Sequence, residues 1–370
     1  MPYNKKQHYQ DNISAIEVAF HLDKYGFPPK DSKSYQFYLE ELSKYSGFGG
    51  LKCVMQDSLD PKDWAPYEHD LIPLQRELFD ILRKNSSTEA EYNQYLGSVR
   101  SSVLSAFYTP PQLTTAISEA IAESGIKVKS MLEPSAGNGA FVESFKPLNI
   151  SESVAIEKDI LTGKILKHLH ASDDQTVLVQ GFEKLPQKYE NYFDLVASNI
   201  PFGDFRIFDP KLMDSPERKL AQESVHNYFF VKALDACKDG GLITFVTSQG
   251  VANSPRNKLV RQYLMENADL VSAIRLPNNM FTDHAGTEVG TDLIVLQKNS
   301  KKKDLSEKEK LFVESTKLQQ QISSNAYIEQ TNSIVCTKQY FDTDPYGKPA
   351  IVYMYENDFS QLKQDIKQNF

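Results

Sequence analysis

The sequence predicts an α/β protein with a seven-stranded, mostly parallel sheet covered by helices on both faces, preceded by a helical domain. Three observations carry this. From about residue 101, short β-branched or apolar runs alternate with helical patterns. Seven such runs occur before residue 300, several apolar throughout, as strands buried on both faces are. Residues 1–100 read as helical and strand-poor.

In chain order, Asp11, Asn12 and Ser14 offer cap residues ahead of a helix beginning near 15–20, and a second helix is expected over 35–42. Gly47, Gly49 and Gly50 interrupt the pattern, and 61–66 is proline-bounded loop. Apolar residues at helical spacing mark 71–82, and 89–96 reads as a last short helix of this 1–100 domain. Strands follow at 128–132, 154–156, 177–179, 193–197, 242–247, 270–274 and 292–296, with helices at 112–124, 139–145, 160–170, 222–238 and 256–267. No helix separates the last two strands, so the final one is expected to insert antiparallel. Beyond this 101–300 domain the chain turns rich in Lys, Glu, Gln and Ser. Residues 301–370 read as an extension or linker, with an exposed helix over 304–321 and aromatics (Tyr327, Tyr340, Phe341, Tyr346, Tyr353, Tyr355) of no clear period.

Composition narrows the function. Hydrophobic residues at 40 % and charged residues at 24 % fit a soluble globular protein without a membrane span. Cys53, Cys237 and Cys336 have neither zinc-ligand spacing nor an even count, which fits a reducing cytoplasm and no metal. The net charge of −8 argues against a nucleic-acid partner unless a local basic patch serves. Candidate patches are Arg256, Lys258 and Arg261; Arg206, Lys211, Arg218 and Lys219; and 298–303.

The motifs are more decisive. Leu132-Glu133-Pro134-Ser135-Ala136-Gly137-Asn138-Gly139 follows the first strand and opens a helix, so small residues let free backbone N–H groups approach a ligand. It resembles the cofactor loop of Rossmann-like methyltransferases and lacks the spacing of a dinucleotide or Walker loop. Glu157 closes the second strand, where a carboxylate can accept both ribose hydroxyls; Asp159 suits a helix cap. After the third strand that likeness implies an acid at the cofactor adenine; Glu183 sits slightly late for it, and Phe182, by stacking with backbone contacts, is an equal candidate.

The fourth strand runs into Asn199-Ile200-Pro201-Phe202, which resembles the Asp/Asn/Ser-Pro-Pro-aromatic motif of enzymes methylating adenine N6, cytosine N4 or glutamine. A ring-conjugated amine is a poor nucleophile. An Asn oxygen and a backbone carbonyl, each accepting one N–H, favour a pyramidal nitrogen, and proline stiffens the turn that aims the carbonyl. The aromatic ring stacks on the base. Transfer is then a direct in-line displacement whose catalysis lies in positioning. Ile200 replaces the first proline and leaves the turn less constrained. A duplex base must flip to reach such a pocket; Phe202, Phe205 and Phe208 offer stacking surface, and the loop 203–221 would lie above the pocket and touch substrate.

Phe107-Tyr108-Thr109-Pro110 ahead of the glycine loop, with the cofactor loop preceding the catalytic motif, resembles N6-adenine methylation subunits of type I restriction–modification systems. That likeness implies S-adenosylmethionine as cofactor, with Tyr108, Thr109 and Pro110 folding over its methionine end and Glu133 facing its amino group. Tyr45-Ser46-Gly47-Phe48-Gly49-Gly50-Leu51, His226-Asn227-Tyr228-Phe229, Ala273-Ile274-Arg275-Leu276-Pro277-Asn278 and Gly286-Thr287-Glu288-Val289-Gly290-Thr291-Asp292 extend the resemblance to the methylase portion of methylase–helicase proteins of mobile elements and phages. In that group an aliphatic residue at the Ile200 place is usual. The likeness implies a DNA substrate, a helicase or specificity partner, and a chain that is either free-standing or one piece of a longer protein. Cytosine-C5 chemistry is disfavoured, since no Cys follows a suitable proline. Glutamine or RNA-adenine methylation, and a binding module without turnover, stay open. His226 is the one histidine near the pocket.

Overall fold

A computed structural model of the chain describes residues 4–105, 109–203, 205–282, 288–343, 347 and 349–369. Its first part is helical: α1 (Lys5–Tyr25), α2 (Lys33–Ser43), α3 (Ile72–Lys84) and α4 (Glu89–Ser105). The first helix starts earlier than expected because Asn4 caps it, accepting the N–H groups of Lys6 and Gln7. Asn12, an expected cap, is buried mid-helix instead; its amide donates to the Gly47 carbonyl (2.7 Å) and accepts the Ser46 N–H (2.9 Å). A tertiary bond has claimed a residue whose local preference is a helix start. α4 also runs well past the expected end at 96.

The sheet comprises β1 (Ser130–Glu133), β2 (Glu152–Glu157), β3 (Gln175–Val179), β4 (Phe193–Asn199), β5 (Cys237–Ser248), β6 (Ala268–Leu276) and β7 (Thr291–Lys298). Their order is β3-β2-β1-β4-β5-β7-β6. The first five are parallel, and β7 slots antiparallel between β5 and β6, as the missing helix implied. Helices α5 (Pro111–Glu123), α6 (Ala140–Ser144), α7 (Ile160–His170), α8 (Pro216–Ala221), α9 (Val225–Ala236), α10 (Gly250–Asn253) and α11 (Lys258–Asn267) connect the strands. One apolar layer joins Phe230, Phe245 and Leu264 on one face; another joins Ile117, Phe141 and Ile274 on the other. This is the seven-stranded Rossmann-like class I methyltransferase fold. The chain steps outward from β1 to β2 and β3, then returns to β4 on the other side of β1. Ligands bind at such a reversal, beyond the carboxyl ends of the strands.

The N-terminal helices share their core with α7, whose Leu161 and Ile165 pack among Leu78, Leu82, Tyr95 and Val99. Beyond β7, the expected single helix over 304–321 is replaced by α12 (Glu307–Val313), β8 (Ser315–Lys317) and β9 (Ser323–Asn325). Phe312 and Val313 are buried, so this helix faces the core rather than solvent. There follow α13 (Ala326–Thr331), the hairpin β10 (Lys338–Thr343) and β11 (Pro349–Met354), and α14 (Phe359–Asn369). The aperiodic aromatics now have places. Tyr353 and Tyr355 are buried, their N–H groups donating to Asn278 and Asn279 at 3.0 Å each. Arg275 and Asp292, from two of the family-like strings, form a buried ion pair joining β6 to β7 (2.9 and 3.2 Å).

Candidate active site at the strand ends

A cleft of about 1110 Å³ opens at the reversal point between β1 and β4. Its floor is the turn after β1. Gly137 takes φ +55° and Gly139 φ +90°, conformations that suit glycine. Gly139 does not border the cleft: a methyl group there would strike the His170 ring beneath the turn, so its smallness serves packing. His170 meets the Asn138 carbonyl at 3.1 Å from below. Glu133, Pro134, Ser135 and Gly137 all line the cleft. The Glu133 carboxylate is buried and accepts the Val142 N–H (3.2 Å), tying β1 to the start of α6. Burial, partly offset by these amides, holds its carboxyl well above the ordinary carboxylate range.

Glu157, at the end of β2, accepts the Gly137 N–H (2.8 Å) with one oxygen and the Asp159 N–H (2.7 Å) with the other. Desolvation dominates over these bonds and pushes its carboxyl up to about 7. Asp159 caps α7 as expected, through the Thr162 N–H (2.9 Å). Beyond β3 both candidate residues border the cleft. Phe182 is almost wholly buried, its ring 5.2 Å from that of Phe229, and the Glu183 carboxylate folds back over Gly181 so closely that a methyl group there would overlap it. The structure thus places an acid as well as a ring at this position.

Asn199 ends β4 and lines the same cleft with Ile200, Pro201 and Phe202. Ser198 donates to the Ser135 carbonyl (3.0 Å), locking the glycine turn and the turn after β4 together. The Ile200 replacement has a physical account. Its side chain is buried in the core, and its N–H donates to the Val246 carbonyl at 3.0 Å. The turn is stiffened by an interstrand bond that proline could not make. The Phe202 ring lies edge-on to Phe281, with centroids 6.3 Å apart. His226 packs at the same distance and meets Ser248 at 3.3 Å, behind the ring rather than lining the cleft.

The segment after the motif forms the rim. Phe205 and Phe208 are exposed and border the cleft with Arg206. Asp209, 1 % exposed, anchors this rim: it accepts Lys232 (2.7 Å), the Tyr228 hydroxyl (2.9 Å) and the Lys211 N–H (3.0 Å). Its own N–H donates to Gln222 (2.7 Å). Of the earlier segment, Thr109 borders the cleft, whereas Pro110 sits at the start of α5 away from it; Tyr108 lies outside the described residues. The expected basic patches are largely spent. Arg261 is buried and donates to the carbonyls of Val251, Ser254 and Val313, Arg218 pairs with Asp214 and Asp235, and Lys302 pairs with Asp269 and Glu309. The sequence reading also missed Gln94, Ser98, Ser101 and Ser102 of α4, which line the cleft. Their spacing at one helix face was the available signal.

Residues 92–360 match the model of the family described as N-6 DNA Methylase. The chain belongs to that family. S-adenosylmethionine is the methyl donor of such enzymes, and the glycine turn, Glu157 and Glu183 around one cleft fit it. The chain is 28 % identical over 274 residues to "Defense against restriction protein B" of Escherichia phage P1; the match covers 68 % of this chain and 12 % of that protein. The chain therefore spans about an eighth of that relative's length. Among solved structures it is similar to the type I restriction-modification methyltransferase subunit from Streptococcus thermophilus (TM-score 0.48, 15 % identity, covering 89 % of this chain and 86 % of that one). It is also similar to a modification subunit of a putative type I restriction enzyme from Vibrio vulnificus YJ016 (TM-score 0.45, 14 % identity, 77 % and 67 % covered). Among the described residues, no cluster of His, Cys, Asp or Glu could hold a metal ion, and no helix is long and apolar enough to cross a membrane.

Proposed function

We propose that this protein methylates the N6 amine of adenine in DNA, taking the base flipped out of the duplex. The observation that carries the reading is that Asn199 and the glycine turn open on one cleft and are tied to each other through Ser198 and Ser135. When bound, S-adenosylmethionine supplies an electrophilic methyl group on its sulfonium. Glu157 holds the ribose, Glu133, Thr109 and the β1 turn enclose the methionine end, and Glu183 with Phe182 receives the adenine of the cofactor.

Asn199 and the backbone carbonyl after it accept the two N–H bonds of the target amine, turning its lone pair toward the methyl carbon. Phe202 stacks on the flipped base, worth about 1–3 kcal/mol by analogy with other base–aromatic platforms. Transfer would exchange the sulfonium C–S bond for the new N–C bond, and the extra proton would leave to water, since the Asn199 amide is no base. Exposed Phe205 and Phe208 with Arg206 would meet the strand around the flipped base. A specificity or helicase partner would choose the sequence.

Tritiated methyl transfer onto unmethylated phage DNA, RNA and total protein tests this, with Asn199→Ala as control. Label recovered as N6-methyladenine from DNA is the expected result. Label on protein or RNA alone, or transfer that survives Asn199→Ala, overturns it.

A further inference from the structure

We infer that α4 forms the adenosine-facing wall of the cofactor cleft and that the Gln94 carboxamide hydrogen-bonds the purine. This rests on the cofactor reading above and assigns it a binding residue from the helical part of the chain. Gln94, Ser98 and Ser101 fall at i, i+4 and i+7, so they share one face, and all three line the cleft. The opposite face, with Tyr95, Leu96 and Val99, is buried in the helical core. A helix fixed by its apolar side thus presents a polar stripe to the ligand.

Hydrogen bonds fix which part of the cleft this is. The Ser98 hydroxyl donates to the Asp159 carboxylate (2.7 Å) and accepts the Leu161 N–H (3.3 Å). Asp159 lies two residues beyond Glu157, so α4 is pinned to the end of β2, where the ribose is held. Val179 pairs in register with Glu157 on the neighbouring strand, which brings the segment from Gln180 to Glu183 alongside. The adenosine end therefore lies where α4, the β2 end and the β3 end converge.

Ser98 has its proton and a lone pair engaged and acts as the pin. Gln94, one turn earlier, is exposed, and among the described residues its amide has no hydrogen-bond partner. A carboxamide carries a donor and an acceptor side by side, the pattern that matches an adenine edge. Because the side chain is outside the core, its removal leaves packing intact.

Calorimetry on the full chain with S-adenosylhomocysteine and with 5′-methylthioadenosine, which lacks the amino-acid end, tests the inference. Gln94→Ala should weaken both ligands by the same factor, about five- to tenfold for one lost hydrogen bond, with unchanged melting temperature. Asn93→Ala, exposed on the same helix but away from the cleft, should change neither. Unchanged affinities in Gln94→Ala would overturn the inference. So would a loss confined to S-adenosylhomocysteine, which would put Gln94 at the amino-acid end. Failure of the unsubstituted chain to bind either ligand would instead bring down the cofactor reading, and this inference with it.

Discussion

Replacing Lys232 with Met should loosen the rim of the active site without touching the cofactor floor. Lys232 and Asp209 form an ion pair whose side chains are 4 % and 2 % exposed, at 2.7 Å. Removing one partner of such a pair strands the other charge and costs about 3–5 kcal/mol. Near 60 °C an unfolding entropy of roughly 2.1 cal/mol/K per residue over 370 residues gives about 0.8 kcal/mol/K, so the melting temperature should fall by about 4–6 °C. The Tyr228 hydroxyl and the Lys211 N–H still hold Asp209, which keeps the cost inside that range rather than above it. Burial alone would raise the Asp209 carboxyl; Lys232 and the Lys211 N–H outweigh it and keep the group below its ordinary range. Its contribution to stability is therefore present above that range and lost as pH falls through the lowered value. Without Lys232 the carboxyl rises, so the penalty should shrink as pH falls through that raised value. In activity, transfer to DNA should drop roughly tenfold as Phe205, Arg206 and Phe208 lose their anchor, while S-adenosylhomocysteine affinity stays within about twofold. The double variant Asp209→Asn/Lys232→Met should recover more than half of the lost stability. An unchanged melting temperature, or cofactor affinity falling in step with transfer, would refute the reasoning.

Asn199→Ala should cut methyl transfer at least about a hundredfold, with cofactor binding retained, as separated by single-turnover kinetics and calorimetry. Cofactor affinity should weaken as pH falls through the Glu157 titration at about 7, because the ribose hydroxyls donate to the ionised form: about twentyfold between pH 7.5 and 5.5, and flat in Glu157→Gln. A slope surviving Glu157→Gln would place the titration elsewhere. Ile200→Ala empties a core position and should cost about 2–4 kcal/mol in denaturant titration. Phe208→Ala, at an exposed site, should leave stability within about 0.5 kcal/mol while raising the KM for DNA; an unchanged KM would remove Phe208 from the DNA-contacting rim.

What was legible in the sequence was local. The glycine turn, Glu157 and Asn199 each sit at the end of a strand whose apolar run announces it, so position along the chain fixed position in the cleft. The antiparallel place of β7 followed from a missing helix. What was hidden depends on partners distant in sequence. Arg261, Arg218 and Lys302 read as surface cations, yet their donors are spent on carbonyls and carboxylates that only the fold brings near. Asn12 read as a cap because its partner Gly47 lies beyond the whole of α2 in the sequence. Tyr353 and Tyr355 showed no period because a hairpin and the side chains of Asn278 and Asn279, not a repeated face, bury them. Ser98 and Gln94 were overlooked because polar residues on a helix ordinarily face water.

The hydrogen bond from Ile200 to Val246 bears on how such enzymes are sought in genomes. Where a search pattern insists on two successive prolines, it equates rigidity with one residue type. Here the same stiffness is delegated to the backbone of the neighbouring strand, so the turn is recognised by how β4 pairs with β5 rather than by a residue type alone. A change that slipped the register of β5 against β4, which no four-residue signature covers, would be able to disarm the turn.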